Sequence, residues 1–116
     1  MKLPYIEVEQ DNEDPALIYN VTTKVDGAAG EEWLAWMKEE YIPEMLGTGC
    51  FHDAVILQLT EVDDSEGPTF AVQYSSAGRS QYNRFIQLFA DDMRRKAEAR
   101  WGAQIISFGS VLRVVN

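Results

Sequence analysis

The chain reads as an α+β protein of the ferredoxin-like kind: a βαββαβ sandwich, with a four-stranded antiparallel sheet and two helices on one face. Three observations predict it. The hydrophobic periodicity runs strand, helix, strand, strand, helix, strand. The two middle strands are separated by Asp63-Asp64-Ser65-Glu66-Gly67-Pro68, a run of turn-forming residues that makes them a hairpin. Right-handed crossovers then bring the two βαβ halves into one sheet.

The first strand is Leu17 to Val25, rich in β-branched and aromatic residues. Leu17, Tyr19, Val21 and Val25 share one face, and Ile18, Asn20, Thr22 and Lys24 the other. The first helix is expected over Ala29 to Leu46, with Trp33, Leu34, Met37, Tyr41 and Met45 as its apolar stripe. Trp36 falls off that stripe. Pro43 lies inside the pattern and should kink or tighten the last turn. Gly47 and Gly49 stop the helix.

The second strand is expected over Cys50 to Glu61, with Phe51, Val55, Leu57 and Leu59 inward and His52, Ala54, Ile56 and Gln58 outward. The third is Thr69 to Ser76, with Phe70, Val72 and Tyr74 opposed to Ala71, Gln73 and Ser75. The second helix spans Ser80 to Trp101, with Tyr82, Phe85, Ile86, Phe89, Met93 and Ala97 as its stripe. Arg94, Arg95, Lys96 and Arg100 crowd its C-terminal half, where positive charge suits the helix dipole. The fourth strand is Ala103 to Val115, where Ile106, Phe108, Leu112 and Val114 alternate with Ile105, Ser107, Val111 and Arg113.

Two helix stripes cover one sheet face. Giving them the more apolar rows leaves Ile18, Asn20, Thr22, His52, Ala54, Ile56, Gln58, Gln73, Ser75, Ser107 and Arg113 on the other. That row is too apolar for bare solvent and too polar for a dry core. The expectation is a homodimer packed sheet to sheet around a space for a small molecule, with Ile18, Ile56 and Val111 seeking cover.

A chain of 116 residues is one domain's worth, here residues 17–116, preceded by an acidic arm over residues 1–16 that is expected to be flexible. The arm carries one lysine against Glu7, Glu9, Asp11, Glu13 and Asp14, a net of −4 out of the formal −9. That charge argues against nucleic acid and against anionic membrane surfaces. No segment approaches the roughly 18–20 apolar residues of a membrane helix, and no signal peptide is visible. With Cys50 as the only cysteine no internal disulfide forms, so a reducing, cytoplasmic setting is expected.

His52 is the only histidine, with no cysteine or carboxylate at metal-ligand spacing, so neither a metal nor another cofactor is expected. As a proton carrier it has a suitable intrinsic pKa and is the one catalytic candidate; the plain reading is an ordinary hydrogen-bonded histidine. If it acts, Asn20, Thr22, Gln73 and Ser75 are the side chains expected to orient a ligand. Cys50 and His52 on one strand face stand about 7 Å apart, beyond the reach of a thiolate–imidazole pair. Trp36 is either an interface anchor or packs under a loop. Glu39, Glu40, Glu44, Asp91 and Asp92 read as solvated helix faces. The glycines match no phosphate-binding loop, and no serine sits in a nucleophile elbow.

Several stretches carry a resemblance: Ile18-Tyr19-Asn20-Val21-Thr22, Glu32-Trp33-Leu34-Ala35-Trp36-Met37, and Tyr41-Ile42-Pro43-Glu44-Met45-Leu46-Gly47-Thr48-Gly49-Cys50-Phe51. With Ala71-Val72-Gln73-Tyr74 and Phe108-Gly109-Ser110-Val111-Leu112, the sequence resembles the small bacterial family called domain of unknown function 4286. The resemblance covers residues 17–116 and implies a ferredoxin-like fold similar to dimeric α/β-barrel proteins. It implies no activity and carries over no catalytic residue.

Three functions follow in order of expectation. The first is a homodimer binding a small, partly apolar ligand between its sheets. The second is a dimeric α/β-barrel enzyme, monooxygenase- or isomerase-like, with His52, Asn20 and a tyrosine acting on a small aromatic or ketone substrate. The third is a structural dimer.

Overall fold

The structure, a computed structural model, describes residues 15–116, so the expected arm lies almost wholly outside the described residues. The elements are β1 (Leu17–Val25), α1 (Gly30–Trp36), a π-helical segment (Met37–Tyr41), α2 (Ile42–Gly47), β2 (Asp53–Gln58), β3 (Thr69–Ser76), α3 (Arg79–Leu88), α4 (Ala90–Trp101) and β4 (Ile105–Arg113). The four strands form one antiparallel sheet in the order β2-β3-β1-β4. This is the ferredoxin-like arrangement read from the sequence. The barrel expectation is overturned: the sheet is open, with β2 and β4 as its two edges and no pairing between them.

The first helical layer runs from α1 through the π segment into α2. Pro43 has no N–H to donate, and its ring crowds the preceding turn. The turn widens instead of breaking, and the Ile42 N–H reaches back to the Met37 carbonyl. The wider turn rotates everything after it. Trp33, Trp36, Met37 and Met45 are consequently all buried together. Trp36 is a core residue at 6% exposure, packed on Tyr41 and edge-on to Trp101 with ring centroids 4.8 and 5.7 Å away. It is not the exposed surface anchor that its wheel position suggests, and the N-terminal arm under which the sequence would otherwise pack it lies almost wholly outside the described residues.

The second layer bends at Phe89 (φ −129°), between α3 and α4. It ends at Gly102, whose φ of 54° is left-handed and stops the helix. Two ion pairs join the layers, Arg100 to Glu32 at 3.1 Å and Lys96 to Glu44. Arg94 and Arg95 pair within α4, with Asp91 and Asp92 respectively, both at 3.0 Å. Such exposed pairs contribute about 0–1 kcal/mol each.

Tyr19 lies at the middle of the core. Its ring packs against Phe51, Tyr74, Tyr82 and Phe85 at centroid distances of 5.7–6.1 Å. Trp33 stacks on Phe70 at 5.2 Å. On β3, Phe70, Val72, Tyr74 and Ser76 are all buried on the helix side.

Two strands face the other way from the sequence reading. The His52 N–H donates to the Ser75 carbonyl at 2.9 Å, while Asp53 is also the register partner of Ser75. Two residues opposite one make a β-bulge, which flips the alternation. Phe51 points to the helices, and so do Ala54 and Ile56; Val55 and Leu57 point out, 46% and 45% exposed. The strand is shorter than expected for the same reason. On β4, Ser107 pairs with Thr23 and their hydroxyls lie 2.8 Å apart on the helix side. That places Ile106, Phe108, Ser110 and Leu112 on the open face, and Ser107, Val111 and Arg113 opposite.

At one end of the sheet three loops meet. Val25 N–H bonds Pro68 O, Gly27 N–H bonds Glu66 O and Asp26 N–H bonds Gln104 O, at 2.8–3.0 Å. Gly67 fills the junction with φ of 144°, and a Cβ there would lie 1.9 Å from the Val25 carbonyl oxygen. Gly67→Ala is therefore expected to cost roughly 3 kcal/mol or more in denaturant unfolding. Gly47→Ala, at a helical position with open space around it, should instead gain about 0.5 kcal/mol. Equal midpoints for the two variants would contradict this account of the junction.

Candidate functional site

The open face is read directly from the register. Across the sheet run the rows Leu57, Ala71, Thr22, Phe108; then Val55, Gln73, Asn20, Ser110; then Asp53, Ser75, Ile18, Leu112. The middle row is tied by hydrogen bonds. Gln73 Nε2 donates to Asn20 Oδ1 at 3.2 Å. Asn20 Nδ2 donates to Thr22 Oγ1 at 3.1 Å and, more loosely, to Ser110 Oγ at 3.5 Å. A polar seam therefore crosses the sheet, satisfied within itself, between flanks of exposed apolar side chains. Of these, Phe108 is 65% and Ile106 72% exposed.

Of the ligand residues expected from sequence, the structure brings Asn20, Thr22, Gln73 and Ser75 together on this face. His52 is exposed on the bulge, its backbone N–H bonded to Ser75, and it lies outside the paired rows of the sheet. Cys50 is buried and His52 is not, and neither lies in β2, so they do not share a strand face. Of the interface residues, Ile18 lies on the open face, half-buried. Ile56 packs on the core, and Val111 lies on the helix side of β4, 42% exposed.

A second feature was missed from sequence. Between the helices and the sheet lies a cavity of about 280 Å³, opening beside β4. Its walls explain it. On the second helical layer Ile86, Ala90, Arg94 and Ala97 follow one another at helical spacing, and on β4 Ser107 and Gly109 face them. Small side chains on both walls leave α4 standing off β4. Gly109 also admits the Tyr19 ring, which lies 3.1 Å from where a Cβ would be. The floor and back are aromatic and thioether groups, among them Trp36, Met37 and Met93. The only signal in the sequence was the run of small residues on otherwise apolar faces.

Three phenols border this space. Tyr41 donates its hydroxyl to the Met93 carbonyl at 3.2 Å. Tyr74 is 1% exposed, and neither its hydroxyl nor that of Tyr19 has a hydrogen-bond partner among the described residues. Burial holds the Tyr41 phenol far above the ordinary tyrosine range, with Tyr19 and Glu44 adding to it. Burial raises Tyr74 likewise, reinforced by Tyr41 and Tyr19. For Tyr19, burial and Tyr82 raise it while Arg94 pulls it back. At neutral pH these phenols thus offer hydrogen-bond donors and no charge; the charged side chain that lines the cavity is Arg94. Among the described residues no cluster of His, Cys, Asp or Glu could hold a metal ion, and no helix is long and apolar enough to cross a membrane.

Below about pH 10 these phenols are protonated in both folded and unfolded chains. Above it the unfolded chain ionises first, so stability falls as pH rises from there. Tyrosinate absorbance should accordingly appear together with loss of near-ultraviolet circular dichroism, and Tyr41→Phe should move that transition to higher pH. Complete tyrosine titration with the fold intact would contradict it.

No curated protein matches the chain. Among solved structures it is similar to a dimeric ferredoxin-like protein from an uncultured marine organism, at 13% identity and a TM-score of 0.69, covering 89% of this chain and 98% of that one. The model of the family described as domain of unknown function (DUF4286) matches residues 16–115. With nearly its whole length matched, and with the open four-stranded sheet and paired helical layers in place, the chain belongs to the DUF4286 family.

Proposed function

We propose that the protein is a homodimeric small-molecule-binding protein. Its two copies meet through the open sheet face, and the ligand enters the helix–sheet cavity rather than the space between the sheets. The observation that carries the reading is the open face itself. Val55, Leu57, Ile106, Phe108 and Leu112 are each 43–72% exposed around a seam that already satisfies its own hydrogen bonds. A face of that composition gains by burial against another like it, at about 25 cal/mol per Å² of apolar surface removed from water. Two such sheets stack about 10 Å apart. The solved relative described as dimeric supports the same reading. A buried, free cysteine suits a cytoplasmic home for such a dimer.

Light scattering coupled to size exclusion should give the mass of two chains for the native protein. Phe108→Asp should give the mass of one, with far-ultraviolet circular dichroism unchanged, because Phe108 is 65% exposed and stands outside the buried cluster. A native chain that remains monomeric at millimolar concentration would refute the dimer.

A further inference from the structure

Interiors pack with few voids larger than a water molecule, so a space of about 280 Å³ inside a core this rich in aromatics is a specific feature. It lies near the lower end of the volumes that hold small organic ligands, about 300–1,000 Å³. Its lining is apolar, built from aromatic rings and methionine thioethers. The one cation on its rim, Arg94, is already held by Asp91 at 3.0 Å and Glu98 at 4.0 Å. An anion entering here would lose its hydration with no free counter-charge to replace it, and would approach a chain of net charge −9. An anion is therefore disfavoured, and the Arg94 guanidinium on the rim disfavours a cation, which leaves a neutral ligand.

The polar requirement is equally specific. Tyr74 and Tyr19 line the cavity with their rings 6.1 Å apart, and neither hydroxyl is hydrogen-bonded among the described residues, so both are free to donate to a ligand. Phenols of this kind donate. What they lack is an acceptor delivered by something flat enough to lie among Trp36, Tyr41 and the Tyr19 ring.

We propose that the cavity binds a neutral, flat molecule of one or two rings bearing a carbonyl-type acceptor, which takes hydrogen bonds from the hydroxyls of Tyr74 and Tyr19. Ala90, Ala97 and Gly109 set its size by leaving the walls short. This deepens the small-molecule reading above, on which it rests, and is independent of the dimer interface.

The test uses three probes of one shape: 2-acetylnaphthalene, 2-ethylnaphthalene and 2-naphthoate, titrated calorimetrically into the full chain. The ketone should bind at one molecule per chain, with the hydrocarbon and the carboxylate each about tenfold weaker or worse. Tyr74→Phe keeps the buried ring and removes only a hydroxyl that bonds none of the described residues, so it should fold and should weaken the ketone about tenfold while leaving the hydrocarbon unchanged. Ala97→Leu should fill the space and abolish binding of all three. Absence of ketone binding by the native chain overturns the proposal, as does equal affinity for ketone and hydrocarbon, tighter binding of the carboxylate, or binding insensitive to both substitutions. A dimer that binds none of the probes overturns this inference alone. A monomer that binds the ketone overturns the interface alone.

Discussion

The reach of two helices across four strands governs this molecule. The helical layers lie over β3, where alternate side chains are buried, over β1, whose helix-side residues are buried or half-buried, and over Ala54 and Ile56 of β2, which are half-buried. They do not reach across β4, whose residues beyond Ile105 are all exposed. One sheet therefore has a dense middle and a bare margin, and both candidate functional features arise at that margin. The open face is bare because, among the described residues, no helix lies on that side. The cavity exists because α4 passes β4 without touching down on it.

What holds the middle together is aromatic. Tyr19 is both the centre of the ring cluster and one wall of the cavity, so the same side chain serves packing and recognition. That dual use explains why the void does not collapse. Its back wall is made of stacked rings whose positions are fixed by Phe51, Tyr74 and Phe85, so neighbours cannot move in without disrupting the core.

The element order, the hairpin and the bounds of the first and third strands were legible in the sequence because each rests on local alternation. What escaped it depended on a single residue shifting a phase. The bulge at His52 and Asp53 inserts one residue, and every later side chain of β2 changes side. The widened turn before Pro43 does the same to the first helical layer, which is how Trp36 came to look peripheral. β4 was ambiguous for another reason: Ile106, Phe108 and Leu112 are the more apolar row, and composition assigns such a row to a core. Here it faces outward, a placement that only pairing with β1 determines. Of the ligand side chains expected from sequence, Asn20, Thr22, Gln73 and Ser75 converge because period-two spacing in β1 and β3 is undisturbed. The cavity was invisible because empty space is made by the meeting of small residues far apart in the chain, Ala97 and Gly109, and no local window contains both.

The three-loop junction around Gly67 has a practical reading for engineering. Residues 62–65 lie exposed just ahead of it, and lengthening such a tip costs only about 0.6 kcal/mol for each doubling of the loop. The glycine that follows anchors the return of the chain against Val25 and Gly27. A tag, an epitope or a whole inserted module can be spliced into the tip while the anchor keeps the hairpin in register. Gly67 itself would tolerate nothing with a side chain.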